Sequence, residues 1–427
     1  MKVVKEKKTN KNTIFVQIAS YRDPQLLPTL RDMISKAKNP ENLRIGIAWQ
    51  HSPQDLWDSL DEFNEDKRFR ILDIDYKESK GVCWARNAVQ QLYDNEKYTL
   101  QLDSHHRFAE NWDSILIANI QDLQKEGHKK PLLTSYIPSF DPENDPAGRV
   151  TVPWKMNFDR FIPEGAVFFL PASFDSWDDV SKPLPARFYS AHFAFSVGAF
   201  AKEVQHDPNY YFHGEEISVG VRAYTHGYDL FHPNQVVCWH EYTRKGRTKQ
   251  WDDDPGWGRR NEQAHLRNRK LFEMDGEKRD IDFGIYGFGK ERTLRDYEKY
   301  SGLSFGRRAV QKMVLEHKSP SEEEASKISD EEFEKSLTSI FKHCIDIQYG
   351  QVPENDYDFW AVAFKDKDGN ELYRKDADKD EIVRIKHDPD GYCKVWREFQ
   401  TDVKPSSWIV WPHSISKGWS DTINGNL

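Results

Sequence analysis

An α/β fold built on a doubly wound, mostly parallel sheet is what this 427-residue chain predicts, and three observations predict it. Short apolar runs alternate with helix-like periodicity from residue 13 onward. The fourth apolar run stops abruptly at Asp103-Ser104-His105-His106-Arg107, a polar cluster at the carboxyl end of a strand, where open α/β sheets place their ligand crevices. A second polar cluster, His213-Gly214-Glu215-Glu216, is followed downstream by another apolar segment that ends in His240.

Thr13 to Ala19 reads as the first strand, followed by the loop Ser20 to Pro24 and a helix from about Gln25 to Lys38. Leu43 to Trp49 is the second strand, and Ser52 to Phe63 reads as a helix with Leu56, Leu60 and Phe63 on one face. Arg70 to Asp75 makes a third strand, Ala85 to Asn95 a helix, and Tyr98 to Leu102 a fourth strand. Asn111 to Glu126 is a long helix and Pro131 to Tyr136 a strand, whereas Phe140 to Arg187 is rich in proline and aromatics and suggests irregular excursions with antiparallel strands. Gly214 opens a helix with Glu215 and Glu216 in its first turn, where negative charge is favourable, and Gly227 stops it. Leu230 to Trp239 resembles a strand interrupted by a turn at Pro233 and Asn234. Tyr242 to Arg260 is polar and suits either a mobile lid or a plain exposed loop. Glu262 to Met274 and Thr293 to Ser301 read as helices, and Ser319 to Thr338 as a charge-rich, solvated helix or linker. Beyond Phe341 the pattern becomes β-rich, with a hairpin turn at Asp366 to Asn370 and further strands at Val395 to Phe399 and Trp408 to Trp411.

The balance of 61 basic and 70 acidic residues gives a net charge of -9 and argues against a general nucleic-acid binder, which needs a basic excess. The 14 Trp and 18 Tyr suit either packed cores or sugar-binding surfaces. Cys83, Cys238, Cys344 and Cys393 are scattered without metal-ligand spacing, which fits reduced thiols in a cytoplasmic protein. No apolar run reaches the length of a membrane span, and Met1 to Asn12 is lysine-rich with no hydrophobic stretch behind it, so neither an anchor nor a signal peptide is expected.

Asp103 and His105 sit two apart on one loop, so a carboxylate and an imidazole can converge on one cation, a pair suiting Mn²⁺ (or Mg²⁺) better than Ca²⁺. A solvated polar loop fits the segment equally well on its own. Adding His240 makes a three-ligand site with positions open for phosphate oxygens. Tyr21, Arg22 and Asp23 follow the first strand at the carboxyl edge of the sheet, where Tyr21 can stack on a base and Arg22 can donate in a planar fork. His106 and Arg107 are placed to orient the ligands.

The strand-end Asp-x-His with a later Gly-Glu-Glu and Trp-His resembles the polypeptide N-acetylgalactosaminyltransferases. Ile14 to Asp23, Gly81 to Asn87, Asp103 to Phe108 and His213 to Glu216 together resemble glycosyltransferase family 60 more closely, over about residues 13 to 290. That family includes the enzymes that place N-acetylglucosamine on a hydroxyproline of the protein Skp1. The resemblance implies a GT-A fold, a UDP-sugar donor carrying N-acetylglucosamine, a hydroxyl acceptor on a protein or glycan, and retention of anomeric configuration. It also implies that Ser20, Tyr21, Arg22, Asp23, Gly81, Trp84, Arg86, Asn87, Asp103 and Ser104 bind the nucleotide sugar, with Asp103, His105 and His240 on the metal. In retaining enzymes the leaving phosphate accepts the acceptor proton, which assigns Glu215 and Glu216 to sugar hydroxyls in the catalytic site. The chain then divides into a basic extension (1–12), a GT-A catalytic domain (13–300), a charged helical linker (301–340) and a β-rich accessory module (341–427). A non-catalytic carbohydrate-binding protein and a metal-dependent phosphoesterase are the alternatives, the latter needing ligands for two metals about 3.5 to 4 Å apart.

Overall fold

The computed structural model describes residues 12–174, 176–386, 391–401 and 403–427. All of the expected basic extension except Asn12 lies outside the described residues. Strands β1 (Ile14–Tyr21), β2 (Leu43–His51), β3 (Phe69–Asp75) and β4 (Tyr98–Leu102) are mutually parallel in the order β3-β2-β1-β4. Next in the chain come a short strand β5 (His106–Phe108), β6 (Pro131–Thr134), an antiparallel hairpin of β7 (Trp154–Phe161) and β8 (Val167–Ser173), β9 (Leu184–Pro185) and β10 (Phe193–Val197). The sheet continues β4-β10-β6-β11-β9, with β11 at Asp229–His232. Only β10 and β9 run against the other strands, so the α/β, mostly parallel architecture expected from the sequence is the one observed.

Helices cover both faces because the strands are apolar on both sides. Ile14, Val16 and Ile18 of β1 pack with α1 (Leu26–Lys36) and α3 (Trp112–Lys125), and Phe15 faces the opposite way onto Ala85 and Val89 of α2 (Val82–Gln90). The short α4 (Phe200–Glu203) follows β10, and α5 (Glu215–Thr225) packs through Ile217, Val221 and Tyr224 beside β11. Gly214, with φ of +89°, turns the chain into α5, a backbone conformation that other residues adopt only under strain.

The segment that expected a helix over 52–63 forms only a single 3₁₀ turn at Asp61–Phe63, and Leu56 is 90% exposed. Its carboxylates serve other elements: Asp55 accepts from Arg22 and Asp58 from the Trp49 indole, contacts that a regular helix would not place together. The helix expected at Ala85 to Asn95 begins and ends earlier. The expected strand from Leu230 to Trp239 is two strands in different sheets, β11 and β12 (Cys238–His240), because Pro233 interrupts the ladder.

Residues 301–340, expected as a charged linker, are instead packed. Leu303, Phe305, Val310 and Val314 belong to the large core cluster, and Phe333 is fully buried against Ala309 and Leu337. The charge pattern hid this because the buried residues are few and scattered among charged ones. Further strands follow: β13 (Leu303–Ser304), β14 (Ala309–Gln311), β15 (Leu337–Gln348) and, after a second sheet containing β16 (Tyr357–Lys365), a strand at Tyr392–Gln400 that pairs with β15. The hairpin turn at Asp366 to Asn370 forms as expected, its Asp366 carboxylate accepting from the backbone of Asp368 and Asn370.

Candidate active site

Two chain segments far apart in sequence meet beyond the end of β4. Asp103 and His105 stand on the β4–β5 turn, and β12 pairs with β5 so that His240 lies opposite His106. The ligand atoms of Asp103, His105 and His240 all lie within 4.8 Å of one another. Asp103 Oδ2 is 3.4 Å from His240 Nε2 and 3.6 Å from His105 Nε2. His105 Nδ1 is 2.7 Å from Asp23 Oδ2, and the Asp23 carboxyl is held well below its ordinary range by the facing His105 and Arg247, despite burial. With Asp23 accepting from Nδ1–H, the Nε2 lone pair is turned toward Asp103, as in a metal-ligating histidine, and Arg247 Nη1 donates to it at 3.0 Å. Burial pushes the His240 imidazole below its usual value, and its buried Nδ1 has no partner, so it is neutral, as a ligand must be. One carboxylate and two imidazole nitrogens suit Mn²⁺ or Mg²⁺.

Arg86, from α2, ties this group to α5. Its Nη2 donates to Asp103 Oδ1 at 2.6 Å and its Nη1 contacts Glu215. Glu215 also meets the Cys83 thiol at 2.6 Å and His206 Nδ1 at 3.2 Å, and His206 in turn reaches Gln101 of β4 at 2.6 Å. Burial raises the Glu215 pKa, but Arg86 and His206 outweigh it and bring the carboxyl down to about 2. Cys83, His206 and Glu215 have ligand spacing too, but the Arg86 guanidinium already supplies the positive charge there. Among the described residues these are the two groups with ligand spacing, and the second is occupied by its own ion pair.

Glu216, one residue on, points elsewhere. Its Oε1 accepts from the Ala191 amide at 2.9 Å and its Oε2 from the Tyr136 hydroxyl at 2.8 Å, and burial pushes it up to about 7. His192 stacks on His240 with ring centroids 4.3 Å apart and is held neutral by burial, its pKa lowered to about 3. Arg247 reaches back from the 241–256 loop: Nη2 is 2.9 Å from Glu241, while Nη1 is 3.2 Å from Asp23 and 3.0 Å from His105 Nε2.

Arg86, Asp103, His105, His192, Glu215, Glu216, His240 and Arg247 line one cavity of about 470 Å³, together with the aromatics Phe168, Phe169, Tyr211, Phe212 and Trp251. Of the expected residues, Tyr21, Asp23, Gly81, Arg86, Asp103, Ser104, His105, Glu215, Glu216 and His240 line it, and Ser20, Arg22, Trp84 and Asn87 do not. Ser20 is fully buried and its carbonyl accepts from Gln50. Arg22 is turned away by a φ of +44° and pairs with Asp55 at 2.7 Å and Asp253 at 2.9 Å. Trp84 packs among Phe15 and Ala85, and the Asn87 amide donates to the His206 carbonyl at 2.8 Å. Tyr21 lines the cavity, yet its hydroxyl is spent on Asp253 at 2.8 Å, and Asp23, expected to bind the nucleotide sugar, also lines it with its carboxylate on His105. Tyr136, His192, Glu241 and Arg247 escaped sequence reasoning because no periodicity or spacing connects them to the ligands.

A family model described as Glycosyltransferase (GlcNAc) matches residues 13–67 and 57–307. The chain belongs to this family. The match spans every residue of the ligand group and cavity just described, so the GlcNAc glycosyltransferase family and this site occupy the same part of the chain. A search of curated protein sequences gives no match. Among solved structures the chain is similar to GalNAc-T7 with UDP, GalNAc and Mn²⁺ (14% identity, TM-score 0.45, 61% of this chain and 48% of that one). It is also similar to S. aureus TarS in complex with UDP-GlcNAc (13% identity, TM-score 0.34, 57% and 61%). A third is the mannosyltransferase PcManGT from Pyrobaculum calidifontis with GDP-Man and Mn²⁺ (11% identity, TM-score 0.35, 55% and 58%). The chain thus spans between 48% and 61% of the length of these three proteins.

Proposed function

We propose that this member of the GlcNAc glycosyltransferase family is a metal-dependent, retaining transferase that moves N-acetylglucosamine from a UDP-sugar to a hydroxyl on a protein or glycan. The observation that carries the reading is the convergence of Asp103, His105 and His240 at the floor of a cavity that also holds Arg86 and Glu216. A divalent cation held by those three would supply Lewis acidity to the departing diphosphate. Arg86 keeps Asp103 ionised and directed, and Glu215 keeps Arg86 in place. Glu216 and Tyr136 offer a carboxyl and a phenol to hydroxyls of the sugar or acceptor, and the aromatic wall excludes water from the reacting bond.

Retention rests on the family resemblance and on the character of Glu216. Its carboxyl is engaged by two donors rather than left free as a base. A cytoplasmic location is proposed from the scattered sequence spacing of Cys83, Cys238, Cys344 and Cys393. No described helix is long and apolar enough to cross a membrane.

The test is incubation with UDP-N-acetylglucosamine and other nucleotide sugars, with Mn²⁺ or with chelator, following UDP release and the anomeric proton of the product by NMR. Metal-dependent UDP release with preference for the N-acetylglucosamine donor and an α-linked product is expected. Release that is unaffected by chelator contradicts the metal site, and a β-linked product contradicts retention.

A further inference from the structure

We infer that a second, cationic groove beside the donor cavity binds an acidic polypeptide segment of the acceptor, an inference that rests on the transferase reading above. This groove, of about 510 Å³, is lined by Lys80, Arg260, Arg267 and Lys270, and among the described residues no carboxylate side chain lines it. Such a concentration of cations stands out on a chain whose net charge is -9. Leu266 and Ile281, 36% and 37% exposed, supply apolar contact between the charges.

Three of the four cations are paired with carboxylates just outside the groove lining. Arg260 pairs with Asp254, Arg267 with Asp207 at 2.5 Å, and Lys270 with Asp280 at 2.7 Å. A guanidinium has five N–H donors, so Arg260 and Arg267 retain donors beyond those pairs. Lys80 is exposed and has no carboxylate partner among the described residues; its ammonium lies 5.9 Å from the Trp84 ring centre. Charges fixed in this way are pre-ordered for an incoming anion and lose little freedom on binding.

The location decides what the anion belongs to. Tyr211 lines both cavities, and Lys80 in the groove is followed directly by Gly81 in the donor cavity. Gly81 and Tyr211 pack closely between the two: a Cβ on Gly81, whose φ is +108°, would come within 2.7 Å of the Tyr211 ring. A chain lying in the groove can therefore present a neighbouring hydroxyl to the donor site. The alternation of cations with Leu266, Ile281 and Tyr210 matches a peptide bearing both acidic and apolar side chains, and lacks the unbroken polar, stacking track that a nucleic acid uses.

The experiment measures binding of a fluorescein-labelled peptide of Glu, Ser and Leu to the full chain by anisotropy, with a Lys-for-Glu peptide and a single-stranded oligonucleotide as separate probes. Lys80→Glu combined with Lys270→Gln should weaken the acidic peptide about tenfold or more, and added salt should weaken it in the unmodified chain. Lys125→Glu, on the opposite face of the sheet, should not. UDP-sugar hydrolysis with Mn²⁺ should be unchanged in the groove variant, which also reports that it folds. No binding of the acidic peptide, equal binding of the Lys peptide, oligonucleotide binding that the groove substitutions abolish, or full retention by the double variant overturns the inference. Failure of UDP-sugar hydrolysis in the unmodified chain would instead strike the transferase reading, so the two outcomes are distinguishable.

Discussion

Arg86→Met should cost the protein about 3 kcal/mol near pH 4.5 and more at neutral pH. Arg86 is 5% exposed and stands between two carboxylates, Asp103 and Glu215. Removing one partner of a buried ion pair typically costs about 3 to 5 kcal/mol, because the survivor is left charged and unpaired. The titration of Glu215 gives the same scale: its carboxyl is brought to about 2 from an ordinary 4.5, mainly by Arg86 acting against burial, and that gap is worth about 3 kcal/mol. In the native chain this contribution is present above the unfolded value of 4.5 and is lost as pH falls through about 2. Without Arg86, burial dominates and the folded value rises above the unfolded one, so stability is then lost as pH rises. Urea unfolding followed by tryptophan fluorescence, in chelator, should therefore show a deficit that grows from about pH 4.5 to about pH 7.5. A deficit that is equal at both pH values, or smaller than about 0.5 kcal/mol throughout, would refute the ion-pair account.

His240→Ala should abolish transfer and Mn²⁺ binding by calorimetry while leaving the circular dichroism spectrum unchanged; retained activity at saturating Mn²⁺ would remove His240 from the ligand set. UDP should raise the Tm only with metal present, since a ligand stabilises the state that binds it, and equal stabilisation in chelator would contradict the site. Glu216→Gln should gain on the native chain by up to about 3 kcal/mol as pH rises from about 4.5 to 8, because the Glu216 carboxyl, raised to about 7 by burial, costs stability as it ionises and Gln cannot. Its transfer rate should fall by less than the roughly 10² to 10⁴-fold expected for a lost base, and parallel stability curves would show that Glu216 is not buried as described. Phe333→Ala should destabilise by about 3 kcal/mol in urea unfolding, as for a packed aromatic, whereas a solvated linker would lose no more than about 0.5 kcal/mol.

The parts of the fold that were legible in the sequence are those in which a single period decides burial. Ile14, Val16 and Ile18 alternate because one strand face meets α1 and α3, and the same logic located β2, β4 and α3. The 52–63 segment failed because Leu56, Leu60 and Phe63 satisfy helical spacing while Asp55 and Asp58 are recruited by Arg22 and Trp49, long-range partners that periodicity does not contain. The ligands Asp103, His105 and His240 were legible because each ends or follows a recognisable strand. Arg247 was not, since it acts through the path of a polar loop across the cavity.

Glu215 and Glu216 show where sequence reasoning stops. Successive helical residues point about 100° apart, so two identical neighbours in one first turn face different surroundings. Glu215 turns toward Arg86 and His206 and is held ionised, down to about 2; Glu216 turns toward Tyr136 and the Ala191 amide, where no cation is paired with it, and rises to about 7. A single role assigned to both therefore separates into two. Glu215 fixes the guanidinium that directs Asp103, and Glu216 lines the cavity with a carboxyl that burial raises to about 7. The two roles depend on opposite electrostatics, so exchanging the partners of the two carboxylates, rather than the carboxylates themselves, is what would disable the site.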